Sequence, residues 1–166
     1  LTVFRDISLR EKALRELKES EEKYRSLVNY APIGIAVHCN EKVLFVNQTA
    51  LKLLECDNEE EILGRSALEF LHPDYRDIVI QRQKQIKETG KAVSILQEIF
   101  ITKNNKPLEV EVSAIPINYE GKNAIMVMFY DISFRIKAEK KIKESQIKYQ
   151  TIFNNAPESI FLMDED

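Results

Sequence analysis

A chain of 166 residues with 44% hydrophobic and 31% charged side chains has the composition of an ordinary globular domain. Its formal net charge is −3, and Lys and Arg are interspersed with Glu, which excludes a basic surface of the kind that binds nucleic acid or an anionic membrane. The longest apolar run, residues 124–130, is too short to span a membrane, and two cysteines without a metal-ligand spacing indicate free thiols. We therefore expect a cytoplasmic domain without direct membrane insertion, in a parent protein that a membrane anchor could still hold.

The two ends of the chain carry a repeat. Residues 6–41 and 131–166 are identical at 15 of 36 positions when they are aligned at an offset of 125. This spacing is too long for a solenoid and is typical of whole domains in tandem. We expect that the chain was taken from a longer array and holds one complete unit with a piece of a neighbouring unit at each end.

Residues 9–23 and 134–148 are predicted to form linker helices, because good helix formers dominate both segments and neither Gly nor Pro interrupts them. Their apolar positions recur every three or four residues, as in the seam of a coiled coil. The seam comprises Leu9, Ala13, Leu17, Tyr24, Phe134, Ala138, Ile142 and Tyr149. About two heptads fit, so the pattern allows either a parallel homodimer through these helices or packing of each helix against its own domain.

A hairpin follows the first helix. Residues 33–39 alternate between apolar and small or polar side chains, and Asn40 and Glu41 turn the chain into a second strand. Asn47 is then placed to cap a short helix. Two further helical turns are predicted after the acidic residues 57–61 and after Ser66.

The second half begins with a longer helix, which Pro73 opens and Gly90 ends. The rest is predicted as three strands, near residues 92–102, 107–117 and 124–130, separated by polar turns. The apolar run of the last strand indicates a central position in the sheet or cover on both faces. This order is typical of an α+β domain with helices on one side of an antiparallel sheet.

Five motifs, in this order along the chain, resemble the PAS domain family of sensor modules. They are YRSLVNYAPIGIAV at 24–37, VNQTALKLLE at 46–55, EEILGRSALEFLHPDYR at 60–76, PLEVEVSAIPI at 107–117 and YDISFR at 130–135. The resemblance implies a PAS fold, with a five-stranded antiparallel sheet, short helices on one face and flanking signalling helices. The complete domain would span residues 24–133.

The resemblance also gives an interpretation of the two ends. Residues 1–8 look like the last strand of a preceding PAS domain, and residues 149–166 look like the start of a following one, with its first strand near 158–163. Separated from their own domains, these two strands are expected to fray, to extend the flanking helices, or to pair between chains. Tandem PAS domains joined by such helices are similar to the input half of a sensor histidine kinase in a two-component system, or of a cyclic-dinucleotide enzyme.

A PAS fold implies a cavity between the sheet and its helices, although the fold does not fix its ligand. Ala67 stands where flavin photoreceptors of the family place a reactive cysteine, and residues 74–89 contain no histidine for haem. We therefore expect neither covalent flavin nor haem, which leaves an unidentified small molecule. The residues predicted to line a cavity or a filled core are Ile35, Val37, Leu53, Phe70, Ile78, Val79, Ile95, Val110, Val112 and Met128. A filled core or a small cavity is favoured.

No enzyme signature is present in the sequence. The four glycines are isolated, so neither a phosphate-binding loop nor a dinucleotide fingerprint exists. His38 and His72 lack a second ligand at metal-site spacing, Cys56 is interpreted as a small buried hydrophobe, and the acidic residues 57–61 are interpreted as a solvated helix start. We expect no catalytic residue and no metal site in this chain.

The leading hypothesis is a non-enzymatic signalling module. A ligand or partner would change the sheet, and the change would pass from the last strand through Asp131, Ile132, Ser133 and Arg135 into the helix that follows. Its partners would be the adjacent PAS domains and an effector such as a histidine kinase in the same chain. The alternative hypothesis is a ligand-free PAS domain that serves as a dimerising spacer.

Overall fold

A computed structural model describes residues 2–155 of the chain, with side chains for residues 10–154. The elements are helix α1 (Thr2–Asn29), strands β1 (Gly34–Cys39) and β2 (Lys42–Val46), helix α2 (Gln48–Leu53), helix α3 (Arg76–Thr89), strands β3 (Val93–Ile101), β4 (Pro107–Tyr119) and β5 (Lys122–Asp131), and helix α4 (Ser133–Asn155). Three 3₁₀ turns, Glu59–Glu61, Ala67–Phe70 and Pro73–Tyr75, connect α2 to α3. Helix α4 belongs to a separate compact unit that begins at Ile132, and it is described by itself.

The five strands form one sheet in the order β2-β1-β5-β4-β3, and all neighbours are antiparallel. Strand β5 lies at the centre, where Val127 pairs with Ala36 of β1 and with Ala114 of β4. The continuous apolar character of β5 follows from this central position, because the strand is paired on both edges and its core face is covered by the helical segments. The predicted α+β fold, with a five-stranded antiparallel sheet and flanking helices, is confirmed.

Two tight turns lie at the same end of the sheet. Asn40 and Glu41 join β1 to β2, and Glu120 and Gly121 join β4 to β5; all four have positive φ angles between 48° and 76°. Consecutive left-handed residues give a two-residue hairpin whose twist matches that of the strands. Both turns were predicted at these positions, and together they form one margin of the candidate site described below.

The hydrophobic core lies between one face of the sheet and the segment that runs from α2 through the 3₁₀ turns. Val110, Ile62 and Phe129 are almost fully buried there. The Phe129 and Phe100 rings meet nearly edge to face, with centroids 5.0 Å apart. Phe129 fills the space above Gly34 so closely that a Cβ at that position would clash with its ring. A glycine is therefore required at the start of β1.

Asn47 connects four segments of the chain. Its side chain is fully buried, and its Oδ1 accepts hydrogen bonds from the backbone N–H of Ile35 (2.9 Å) and of Ala50 (2.8 Å). Its Nδ2 donates to the carbonyl oxygens of Val28 and Ile33, both at 2.9 Å. The predicted cap of α2 is confirmed, but the cap uses only one of these four bonds. The same amide also attaches the end of α1 and the start of β1 to that helix.

The terminal helices are longer than predicted. Helix α1 includes residues 2–8, which the sequence assigned to the last strand of a preceding domain, and α4 continues beyond residue 148 to Asn155. Neither Gly nor Pro interrupts these segments, and each added helical residue contributes a backbone hydrogen bond. Of the three outcomes expected for this segment, residues 2–8 show the extension of the flanking helix. The predicted strand at 158–163 lies outside the described residues, and the assignment of both ends to neighbouring domains stays a prediction.

Candidate functional site

A cavity of about 80 Å³ lies between the inner face of the sheet and helix α3. Most of its walls are apolar, and they include Leu71, Val79, Phe100, Val112 and Val127. A second cavity of about 60 Å³ shares Phe100, Val127 and His38 with the first and extends toward Phe70 and Phe129. The core face of the sheet is therefore largely filled, with two small spaces in it, as the sequence favoured.

An open groove of about 600 Å³ lies at the end of the sheet where the two tight turns are located. Its polar margin includes Lys87, Asn118 and Asn123. Three residues, His38, Ile86 and Ile125, line both the groove and the 80 Å³ cavity. The groove and the cavity are therefore neighbours, and these three residues form the wall between them.

His38 is the polar residue that all three spaces share. Its side chain is only 3% exposed, and its Nδ1 has no hydrogen-bond partner among the residues that the structure describes. Burial lowers the pKa of His38 to about 4, and the positive charge of Lys87 acts in the same direction. The imidazole is therefore neutral near pH 7, and it offers an unused hydrogen-bonding atom at the cavity wall.

Glu98 and Arg82 lie on the same cavity. Glu98 is 4% exposed, and burial raises the pKa of its carboxyl group to about 7, against the opposing effect of Arg82. The Arg82 Nε lies 4.0 Å from the Glu98 Oε1, which is too long for a hydrogen bond, and the same guanidinium donates to the Ser94 carbonyl oxygen at 2.8 Å. The cavity thus combines apolar walls with a buried, loosely paired acid and base.

Regular secondary structure brings these three side chains together. On β1, His38 follows Ala36 by two residues and shares its face, while on β3 Glu98 precedes Phe100 by two. On α3, Arg82 lies three residues after Val79 and therefore on the same side of the helix. No single segment supplies more than one member of the group, so the site depends on the tertiary fold.

The structure places the ten predicted pocket residues in six different environments. Val79 and Val112 line the 80 Å³ cavity, and Phe70 lines the 60 Å³ cavity. Leu53 and Val110 pack in the core beside them. The predicted position at a cavity therefore agrees with the structure for Val79, Val112 and Phe70, whereas Leu53 and Val110 are core residues.

The other five do not line these cavities. Ile35 and Val37 are buried but alternate with the cavity-facing residues of β1, so they lie on the opposite face of the sheet. Ile95 and Met128 line a shallow groove of about 160 Å³ that also includes Glu111 and Ser113. Ile78, at 42% exposure, is on the outer side of α3. The predicted set therefore mixed both faces of the sheet, because apolar character alone does not tell which face the helices cover.

Sequence reasoning missed His38, Arg82 and Glu98 as a group. The sequence pattern indicates two of them: Glu98 interrupts the apolar run of β3, and Arg82 falls in the helical period of Val79 and Ile86. A charged residue in phase with apolar neighbours is unusual, since it must be buried with them. His38 is in phase with Ala36 on β1, so the alternation of the strand puts it on the face opposite Ile35 and Val37.

Two other predicted features have structural roles. Cys56 is half-buried, its Sγ lies 3.6 Å from the Leu54 carbonyl oxygen, and burial raises the pKa of its thiol. The acidic residues 57–61 are more than a solvated helix start, because Asp57 and Glu61 each bind the Lys103 ammonium at 2.7 Å. These ion pairs attach the loop after α2 to the turn between β3 and β4. Within the described residues no group of His, Cys, Asp and Glu is arranged to hold a metal ion.

Comparison with known proteins assigns the fold to a family. A sequence profile of the PAS fold matches residues 22–132, which is most of the chain. The chain belongs to the PAS family. The PAS domain of an HTR-like protein from Haloarcula marismortui superposes with a TM-score of 0.63 at 24% identity, covering 74% of this chain and 99% of that structure. This likeness confirms the PAS fold that the sequence motifs predicted.

Two curated relatives of the PAS chain are sporulation kinases of Bacillus subtilis (strain 168). Sporulation kinase A is 27% identical over 139 residues, covering 84% of this chain and 23% of the kinase. Sporulation kinase E is 24% identical over 166 residues, covering 99% of this chain and 22% of the kinase. The PAS chain thus spans less than a quarter of the length of either relative.

The predicted relay residues lie at the end of the PAS domain sheet. Asp131 is the last residue of β5 and pairs with Val110 of β4, and Ser133 begins α4. On α4, the Arg135 Nε lies 4.0 Å from Glu139 Oε1. Ile132 accepts a hydrogen bond from the backbone N–H of Ile136 at 2.9 Å. The predicted joint between strand and helix is therefore at the predicted residues, while its signalling role stays a prediction.

The predicted seam residues of the PAS chain are mostly exposed. Leu17 and Tyr24 on α1 are each 65% exposed, and Ile142 on α4 is 60% exposed. Ala13, Phe134 and Tyr149 are exposed as well, Ala138 is half-buried, and the side chain of Leu9 lies outside the described side chains. For α1 this exposure counts against packing of the seam on its own domain. In the described part of the chain no helix is long and apolar enough to cross a membrane.

Proposed function

We propose that this PAS domain is a non-catalytic sensory module of a larger, cytoplasmically located signalling protein, such as a histidine kinase. The observation that carries the proposal is the buried Nδ1 of His38, which has no hydrogen-bond partner in the described part of the chain and lies on a small cavity. A buried polar atom without a hydrogen bond is costly, and a bound molecule can supply the missing bond. The names of the two sporulation kinases support an effector of the kinase class.

The signal would leave the cavity through β5. Ile125 and Val127 of this strand line the cavity, and the same strand ends at Asp131, next to the start of α4. A ligand that binds one arrangement of the strand more tightly than another shifts the population toward that arrangement. We infer that α4 carries this shift to the effector, with Asp131, Ile132, Ser133 and Arg135 as the joint.

This relay is tested by filling the cavity permanently. Val79→Phe adds volume at the cavity wall, whereas Ile78→Phe makes a comparable change at the neighbouring exposed position. We expect Val79→Phe to change amide hydrogen exchange by about tenfold or more in β5 and in the first turns of α4, because a change in the local opening free energy of about 1.4 kcal/mol has that effect. Ile78→Phe should leave both segments as they are in the unchanged chain. Equal exchange in α4 for the two variants would contradict the relay.

The exposed seams support a second part of the proposal, which is parallel association of two chains through α1 and α4. An apolar stripe with spacing of three and four residues and exposed side chains is suited to pairing with a second helix. Adjacent PAS domains and an effector domain of the same protein would continue this pairing. No prosthetic group is part of the proposal.

Ile142→Glu is expected to weaken self-association about a hundredfold, because two buried isoleucine contacts are lost per dimer and two carboxylates are brought together. Gln150→Glu is the matched control, since it makes the same change in charge at an exposed position of the same helix outside the seam. Sedimentation equilibrium measures both. If the two variants associate equally well, the seam is not the dimer interface.

A ligand-free dimerising spacer is the second candidate function, and the small volumes of the two cavities favour it. A spacer requires the seam but not the cavity. It would therefore show the effect of Ile142→Glu on association and no effect of Val79→Phe on exchange in α4.

A further inference from the structure

Three features of the cavity restrict the chemistry of its occupant. The inference drawn from them rests on the proposed sensory function. Its volume of about 80 Å³ is close to that of three water molecules, so it has room for only a few non-hydrogen atoms. Its walls are mainly aliphatic and aromatic. Its titratable and charged side chains are His38, Arg82 and Glu98, each from a different element.

The gap between Arg82 and Glu98 suits a single oxygen atom. The Nε and Oε1 atoms are 4.0 Å apart, so they do not bond directly. An oxygen beside both can lie about 2.8 Å from each, accepting from the guanidinium and donating to the carboxylate. A hydroxyl group combines this acceptor and this donor in one atom. A carboxylate lacks the donor, and an ammonium lacks the acceptor.

The charges of the side chains that line the cavity also favour an uncharged ligand. At pH 8, above the pKa of about 7 that burial gives Glu98, the acid and Arg82 together carry no net charge, and His38 is neutral. An anionic ligand would compete with Glu98 for Arg82, and a cationic ligand would compete with Arg82 for Glu98. Either would leave a buried charge without its partner, which is strongly unfavourable. An uncharged ligand leaves the pair intact.

We propose that the cavity binds a short aliphatic alcohol, whose hydroxyl group bridges Arg82 and Glu98 and whose hydrocarbon part packs against Val79 and Val112. His38, whose Nδ1 has no partner among the described residues, lines the same cavity and adds an uncharged hydrogen-bonding atom to it. Ile86 and Ile125 close the cavity on the side of the open groove, since they line both spaces. Gln83, which also lines the cavity, adds a neutral polar contact and does not alter the charge balance.

Three probes of nearly equal size separate the alternatives. 1-Propanol, propionate and propylammonium differ mainly in charge, and each is titrated at pH 8 into the ¹⁵N-labelled chain while amide chemical shifts are followed by NMR. We expect saturable shifts with 1-propanol at residues of β1, α3 and β3 around the cavity. The two charged probes should give only small, non-saturating shifts. A stronger saturable response to propionate or propylammonium would overturn the assignment to an alcohol while leaving the proposed sensory function in place.

Two pairs of variants locate the binding. Arg82→Met keeps most of the side-chain length and removes the donors, and it should weaken 1-propanol binding at least tenfold; Arg76→Met, an exposed position on the same helix, should not. Val79→Phe should abolish saturation by occupying the space, and Ile78→Phe should retain it. Chemical shifts that persist in Val79→Phe, or that saturate for none of the probes, would overturn the proposal. The proposed sensory function is decided separately, by hydrogen exchange in α4 of the filled variant.

Discussion

Replacing Asn47 with Ala is expected to lower the free energy of unfolding by about 4–6 kcal/mol, which is a large part of the stability of an ordinary domain. The side chain is fully buried and makes four hydrogen bonds to backbone groups of Val28, Ile33, Ile35 and Ala50. Alanine leaves all four groups without this partner. Each buried group that loses its bond costs about 1–3 kcal/mol, and partial rearrangement reduces the sum.

Urea unfolding followed by circular dichroism measures this effect. Asn58→Ala is the matched control, because Asn58 also stands before a helical turn but its side chain makes no capping bond. Its expected cost is below about 0.5 kcal/mol. Asn47→Asp provides a further comparison, since it keeps the two accepted bonds but turns an oxygen toward the carbonyls of Val28 and Ile33. A cost of less than about 1 kcal/mol for Asn47→Ala would show that the four bonds do not hold these segments together.

The stability of the chain is expected to depend on pH through two buried groups whose effects oppose each other. Burial raises the pKa of Glu98 from 4.5 to about 7, so the folded state holds this proton more tightly than the unfolded state. The stability that Glu98 contributes is therefore fully present below pH 4.5 and is lost as the pH rises toward 7. Burial lowers the pKa of His38 from 6.5 to about 4, so its contribution is lost as the pH falls from 6.5 toward 4.

Between about pH 4.5 and 6.5 the two slopes are opposite in sign, each at most about 1.4 kcal/mol per pH unit, and they largely cancel. Removing either group should reveal the other. Glu98→Gln is expected to gain stability, relative to the unchanged chain, as the pH rises through this range. His38→Gln is expected to lose it. Arg82 and Lys87, the charged residues that act on these two groups, are present in all three proteins.

Urea unfolding of the three proteins at four or five pH values gives the slopes. Other titrating residues contribute equally to all three proteins and cancel in the differences. Each variant should change by about 2 kcal/mol relative to the unchanged chain across the range, in opposite directions, so the two variants should differ by about 4 kcal/mol. Parallel pH profiles for the three proteins would show that His38 and Glu98 are not held in the buried environment described here.

Much of the fold could be predicted from the sequence because its signals are local. Asn40 and Glu41 identify a two-residue turn, and Pro73 and Gly90 identify the ends of a helical segment. Each of these residues acts on its own neighbours in the chain. The strands follow in the same way from alternation, and the family motifs fix their order. Such features require no knowledge of tertiary packing.

The cavity could not be predicted in the same way. Alternation shows that Ile35 and Val37 share a face of β1, but it does not show that the helices cover the other face, with Ala36 and His38. Glu98 and Arg82 are 16 residues apart on different elements, and only the packing of α3 on the sheet brings them to one space. The extent of helix α1 could not be predicted for a related reason. The sequence of residues 2–8 is compatible with a strand or a helix, and the adjoining helical residues determine which of the two forms.

The separation between the groove and the core has a consequence for how domains of this kind can diverge. Asn118 and Asn123 belong to the hairpin that borders the groove, and neither is part of the buried core. Substitutions there would change the surface of the groove at little cost in folding free energy, because both side chains are exposed. Val112 and Val127, by contrast, serve the core and the cavity at once. The surface of the groove can therefore evolve quickly, while the walls of the cavity and strand β5 change slowly.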